Sequence, residues 1–295
     1  MWYTRRPRSR RNGFVLVSVI WIVGILAAFT ISVTVSVRSH ALFARNSMSG
    51  VLAQAIADGM LRITAYRISY GDDIAVPDGR WRLCHWTDEA DVGISVQDQS
   101  GLVDLNTASA PLILAVLEGL GLSQGEADEI ATAMRDYRDA DSESDLGRQE
   151  PRTYPGQAFG PKNRPFEAVE ELDQLPGMTP VLFGAFRQLA TVYNQQTGID
   201  LSTSPAPLLN TLGVTRTSSA GLAFASPRTS RVFSLTVAVQ TADGTRFLRR
   251  AMMELTGQPQ RPFVVLDWET GAWSAPELVQ PFLPPCTPNG VNWLA

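Results

Sequence analysis

The chain has 295 residues, 44% of them hydrophobic and 18% charged, which is apolar material for one large domain or two modest ones and excludes a disordered chain. The net charge is −4, but five arginines (Arg5, Arg6, Arg8, Arg10 and Arg11) crowd the amino terminus, so the other 20 basic residues against 29 acidic ones leave the body at −9. Such a body is a poor general binder of nucleic acid. Two cysteines and two histidines exclude a disulfide-dense scaffold and an all-cysteine zinc site, and leave little material for histidine chemistry.

Behind the arginines, residues 13–37 carry no charge. As a helix this stretch spans about 37 Å, enough to cross a hydrocarbon core of about 30 Å. A secretory signal has a shorter apolar run and a small-residue cleavage site, which the following R-S-H-A-L-F-A-R-N does not offer. The reading is an uncleaved single-pass anchor in the inner membrane. The arginines keep the amino terminus cytoplasmic, which puts the body on the periplasmic side. Leu52, Ile56, Met60, Ile63, Tyr66 and Tyr70 continue at steps of three and four, and no proline interrupts residues 8–76, so one helix is predicted over residues 14–70. Val51, Leu52, Ala55, Ile56, Gly59, Met60 and Ile63 are its candidates for helix and sheet packing, with Ala53, Ala55, Ala57 and Gly59 small enough for close approach.

Residues 80–86 and 92–98 read as short strands. Residues 110–120, 126–137, 166–175 and 181–193 read as helices, with an acidic loop between the second and third. From residue 231 strand character returns, broken by an Asp243-Gly244 turn that predicts a hairpin, and residues 262–268 form a last strand. Asp104 to Ile113 (D-L-N-T-A-S-A-P-L-I) and Asp200 to Leu209 (D-L-S-T-S-P-A-P-L-L) echo each other at six of ten positions, each a Ser/Thr/Pro start before an apolar run. The organisation is a leader (1–13), a membrane helix (14–37), a periplasmic helix with the first strands (38–100), an inserted helical domain (101–212), closing strands (213–280) and a proline-rich tail (281–295).

A basic leader ending in Gly13, then Phe14 and a long apolar helix, resembles a type IV prepilin-like precursor. The resemblance implies cleavage by prepilin peptidase between Gly13 and Phe14 and methylation of the new terminus at Phe14. The fifth residue of the mature chain is Ser18, where pilin-like subunits usually carry glutamate. That departure, with the repeated D-L-x-T segments around an inserted helical domain, is similar to type II secretion system protein K, a minor pseudopilin family. The resemblance covers nearly the whole chain. It implies an α+β fold, with a long pilin-like helix on an antiparallel sheet and a large all-helical insertion. It also implies a place at the tip of a pseudopilus that takes part in protein export across the outer membrane. The implied partners are other minor pseudopilins, the major pseudopilin fibre, prepilin peptidase and inner-membrane lipid, without nucleic acid.

In the acidic loop, Asp139, Asp141, Glu143, Asp145 and Glu150 fall at positions 1, 3, 5, 7 and 12 of a calcium-loop template. Ser144 stands where the EF-hand turn needs glycine, and Pro151 opposes an exiting helix, so a true EF-hand is excluded. An oxygen cage and a solvated acidic loop both remain open. Laid onto the protein K pattern, Asp136, Tyr137, Asp139, Asp141, Glu150 and Tyr154 match, and the resemblance implies a structural calcium held by carboxylates among Asp136, Asp139, Asp141, Glu143, Asp145 and Glu150.

Two rival functions start from the same residues. V-D-L-N-T-A-S with G-L-G-L, and V-E-E-L-D-Q-L-P-G-M, resemble helix-hairpin-helix modules, which would make the chain a membrane-anchored DNA-binding protein of an uptake system. Residues 101–200 carry 16 acidic and 7 basic residues, a charge that repels a duplex. An enzyme would have to use His85 with Asp88, Glu89 and Asp91, yet no nucleophile motif, phosphate loop or zinc pair accompanies them. In an oxidising periplasm Cys84 and Cys286 either pair and tie the tail to the sheet, or remain two thiols with Cys84 buried.

Overall fold

The computed structural model describes residues 12–70, 77–88, 90–140, 143–144, 148–149, 154, 159–227, 231–278 and 283–286. The chain divides into two compact units, Met1–Leu52 and Ala53–Ala295. Helix α1 (Asn12–Ser69) runs through the boundary without a break, as its lack of proline predicts.

In the first unit every large apolar side chain from Phe14 to Val37 is exposed. Three hydroxyls in this stretch turn back on the helix itself. Ser18 Oγ donates to the Val15 carbonyl, and Thr30 and Thr34 donate to the carbonyls of Leu26 and Thr30. No polar group of these side chains then needs water, which is what a hydrocarbon environment requires.

In the second unit a five-stranded antiparallel sheet has the order β1-β2-β7-β8-β9. Its strands are β1 (Asp78–Thr87), β2 (Ala90–Asp98), β7 (Val232–Thr241), β8 (Arg246–Gln258) and β9 (Arg261–Thr270). The predicted hairpin joins β7 to β8, with Gly244 at φ +87° and the Thr241 amide donating to the Thr245 carbonyl. One sheet face, built by Val92, Ile94, Val96, Leu235, Val237, Val239, Ala251 and Met253, packs on α1.

The helix face that meets this sheet is Ala53, Ala57, Met60, Leu61, Thr64 and Ala65, all buried. The residues expected to pack on helices and sheet divide between this face and the solvent. Met60 is buried and Ile56 and Gly59 are half-buried, but Val51, Leu52, Ala55 and Ile63 stay exposed. The alanines let the helix backbone approach the sheet closely, with Met60 and Leu61 filling the space beside them.

Between β2 and β7 lies the insertion. It contains β3 (Val103–Asp104), α2 (Ala110–Gly119), α3 (Gln124–Arg138), β4 (Glu143–Ser144), β5 (Arg148–Gln149), α4 (Pro180–Phe186), β6 (Ala190–Thr191) and α5 (Ala206–Thr211). It is mainly helical, and to the expected helices it adds a parallel β3–β6 ladder and a short β4–β5 pair. Two predicted helices shorten. Residues 166–175 make only a 3₁₀ segment over Val169–Gln174, because Glu171 folds back to accept the Glu167 and Ala168 amides. Helix α4 stops at Phe186, because the Leu189 and Thr191 carbonyls accept the Val103 and Leu105 amides.

The internal echo is a structural repeat. Asp104 Oδ1 accepts the Asn106 and Thr107 amides before α2, and Asp200 Oδ1 accepts the Ser202 amide before α5. The two helices meet at Gly119, where a Cβ would stand 2.0 Å from the Thr211 carbonyl oxygen. Around them Leu105, Leu112, Leu117, Met134, Phe186, Ile199 and Leu208 form a core of their own.

Candidate assembly surfaces and cation site

Four features of the chain carry chemistry or contact surface. The first is the apolar stem, long and apolar enough to cross a membrane. Phe14 is exposed, and Gly13 precedes it inside α1. The leader arginines lie outside the described residues.

The second is the outward face of α1 in the body, where Gly59, Ile63, Tyr66 and Tyr70 follow at helical spacing. The Tyr66 and Tyr70 rings are 4.4 Å apart, and nothing lies within 4 Å of a Cβ placed on Gly59. A tilted aromatic pair beside a glycine notch admits another helix at close range.

The third is the entrance to the acidic loop. Helix α3 starts in a capping box, Ser123 with Glu126, and ends at Arg138, which aims its last turn at the loop. Asp136 is buried, and its Oδ1 has no hydrogen-bond partner among the described residues. A buried carboxylate oxygen without a donor is costly, and a bound cation would relieve that cost. Asp139 is half-buried at the helix end. Asp141, Asp145 and Glu150 lie outside the described residues, as does the Glu143 side chain, whose backbone is in β4. Among the described residues no three metal-ligating side chains cluster.

Sequence reading missed the network that anchors this entrance. The Tyr137 hydroxyl donates to Glu171 Oε2 at 2.9 Å, and its ring stacks on Phe166 with centroids 4.7 Å apart. Lys162, the sole lysine of the chain, reaches the same carboxylate at 3.0 Å. Burial pushes the Glu171 carboxyl up, but Lys162, the two amides and Tyr137 outweigh it and hold the group below its ordinary range. Burial, then Glu171, raise the Tyr137 phenol. One lysine among 25 basic residues was the available signal.

The fourth is the sheet rim. Cys84 and Cys286 form a disulfide that closes 202 residues of sequence. Beside it the His85 amide donates to the Pro284 carbonyl, and the Cys286 amide donates back to the His85 carbonyl, so the tail covers the edge of β1. His85 Nδ1 is 2.7 Å from Asp91 Oδ1, and that hydrogen bond raises the imidazole pKa. His85 thus holds a strand-end ion pair.

The sheet face turned away from α1 also forms, with the insertion, a cleft of about 660 Å³ lined by Ser95, Gln97, Arg250, Asp267, Glu170 and Tyr193 among others. Its junction is pinned by buried Asp78, which takes Arg216 Nη2 at 2.9 Å and Arg80 Nε at 3.2 Å. Its walls come from segments far apart in the chain, which no local pattern announces.

Residues 95–195 match the family model of type II secretion system protein K. The fold is also similar to that of a chain in the GspK-GspI-GspJ complex of the enterotoxigenic Escherichia coli type 2 secretion system. The TM-score is 0.54 at 16% identity, covering 80% of this chain and 99% of that one. No curated protein matches the chain in sequence.

Proposed function

We infer, from the match of residues 95–195 to the family model of type II secretion system protein K, that the chain works as a minor pseudopilin at the tip of a pseudopilus. The observation that carries this reading is the division of labour on α1. Its small-residue face is used up on its own sheet, while the Gly59–Ile63–Tyr66–Tyr70 face and the apolar stem are left for neighbours. The partners are other minor pseudopilins and the major pseudopilin below them, in an assembly that serves export across the outer membrane. No catalytic role is assigned.

The stem is the single-pass inner-membrane anchor, with a cytoplasmic amino terminus and a periplasmic body. Prepilin peptidase cuts after Gly13, and Phe14 becomes the methylated terminus. Ser18 is neutral where a carboxylate would stand, so it offers no charge to a neighbour's terminal ammonium, which fits a subunit with nothing above it. The bulk of the insertion points the same way, since a large head caps a helical fibre more readily than it stacks within one.

The same reading has a structural calcium ion at the loop entrance, held by carboxylates among Asp136, Asp139, Asp141, Glu143, Asp145 and Glu150; the unpartnered Asp136 Oδ1 supports it. When bound it neutralises the mutual repulsion of these carboxylates. The helix-hairpin-helix reading fails on charge. The α2–α3 hairpin is bracketed by Glu118, Glu126, Asp128 and Glu129.

Amino-terminal mass analysis of the membrane-fraction protein tests the whole reading. A chain beginning at methylated Phe14 supports it, and a cytosolic chain with an intact leader refutes it. Cysteine crosslinking from Ile63 and Tyr66 then reports whether other pseudopilin helices lie against that face.

A further inference from the structure

Charge is distributed unevenly along α1. No acidic residue occurs between Asn12 and Ala57, while Arg38 follows the uncharged run directly and Arg45 comes two turns later. The first carboxylate of the helix, Asp58, is already taken by Arg249 at 2.7 Å. Arg38 and Arg45 are both exposed, and among the described residues neither has an ionic partner. Arg38, Leu42 and Arg45 follow at steps of four and three, so they share one stripe of the helix, with Leu42 exposed between the two cations. His40 falls on the opposite side.

The run before this stripe fixes its depth. Residues 13–37 span about 37 Å of helix against about 30 Å of hydrocarbon, so Arg38 stands just outside the apolar layer. Arg45 lies about 10 Å further along the axis, and helical side chains tilt back toward the amino terminus, which returns it toward the headgroups. A cation–leucine–cation stripe at this depth matches the step from acyl chains to phosphates. A guanidinium takes a phosphate through two parallel hydrogen bonds, which an ammonium cannot do. The rest of the chain has the opposite preference. Residues 58–295 carry 18 basic residues against 29 acidic ones, a net of −11 that a negative surface repels.

We propose that Arg38 and Arg45 form a binding site for the headgroup phosphates of anionic phospholipids, on the side of the bilayer where α1 leaves it. The proposal rests on the membrane-anchor reading above, to which it adds the lipid class and the two residues that take it. Net negative charge is the selective feature. A zwitterionic headgroup carries its own ammonium beside the phosphate, and that cation competes with the guanidinium. Bound headgroups hold the stem at one depth in the bilayer, and the site is separate from the Gly59–Tyr70 face.

The test uses the full chain in neutral detergent micelles, titrated with phosphatidylglycerol or with phosphatidylcholine of the same acyl chains, and bound lipids are counted by native mass spectrometry. Leader arginines are common to every arm, so the comparison between variants isolates the stripe. Arg38→Gln and Arg45→Gln should each lower phosphatidylglycerol affinity about fivefold and leave phosphatidylcholine affinity unchanged. Arg45→Lys should keep part of the preference, and circular dichroism should show the same helix content in all variants. Soluble glycerol phosphate should not compete, because it lacks the chains that place its phosphate at the stripe. The proposal is overturned by equal affinity for the two lipids, by indifference to both glutamine variants, or by full competition from glycerol phosphate. A chain that alkaline washing strips from phosphatidylglycerol vesicles refutes the anchor reading and this site together. A chain that stays in the vesicles but is indifferent to headgroup charge refutes this site alone.

Discussion

Asp58 on α1 and Arg249 on β8 form an ion pair 2.7 Å long between helix and sheet, and Arg249 is almost wholly buried. The same guanidinium donates to Thr270 at 2.8 Å and lies over the rings of Phe247 and Trp268. Removing one partner leaves the other charge in a poor dielectric. Arg249→Leu should cost about 3 kcal/mol in denaturant unfolding, and the double change with Asp58→Leu should recover much of it. Equal loss in single and double variants would mean that packing, not charge, dominates.

The disulfide restrains a tail that also shields a sheet edge. Reduction, or Cys286→Ser, should lower stability by about 2–5 kcal/mol, given the length of chain it closes. Limited proteolysis should then release the tail beyond Leu278. A reduced protein with unchanged melting would show that the backbone bonds at His85 suffice.

Stability should respond to pH in opposite senses at two places. His85 is raised above the ordinary histidine value by its bond to Asp91. Its contribution is therefore complete below about pH 6.5 and disappears as pH rises through the higher folded value. Glu171 is lowered, so its contribution is present above the ordinary carboxylate range and is lost as pH falls through the lower folded value. Histidine titration by nuclear magnetic resonance checks the first, and Asp91→Asn should bring His85 back toward its usual value. Acid unfolding of Glu171→Gln beside the parent checks the second.

Calcium should raise the melting temperature reversibly, by about 2.7 kcal/mol of stability at a hundredfold excess over Kd, and chelation should remove the gain. Asp136→Asn should weaken the response without unfolding the chain, since among the described residues nothing donates to Oδ1. An identical response in that variant would rule Asp136 out as a ligand.

The helix–hairpin order of the body, the apolar stem and the repeated helix starts after Asp104 and Asp200 were legible from residue order, because each depends on periodicity, charge or capping within a few residues. The network of Tyr137, Glu171 and Lys162 was not, since its members converge only after the insertion folds. The same holds for the ends of helices. Residues 187–193 carry a helical pattern, but their carbonyls are claimed by β3, and a ladder bond from a distant strand outweighs local propensity.

Residue order settled how much of α1 is apolar and at what repeat. It did not settle which side faces inward, because two apolar stripes run along the same helix. Contact with the sheet chose the alanine stripe, since the smaller side chains bring more atoms within van der Waals reach. Cys84 and Cys286 present the same division. Both thiols are visible in the chain, but only the path of the tail along β1 brings their Cα atoms to 5.0 Å.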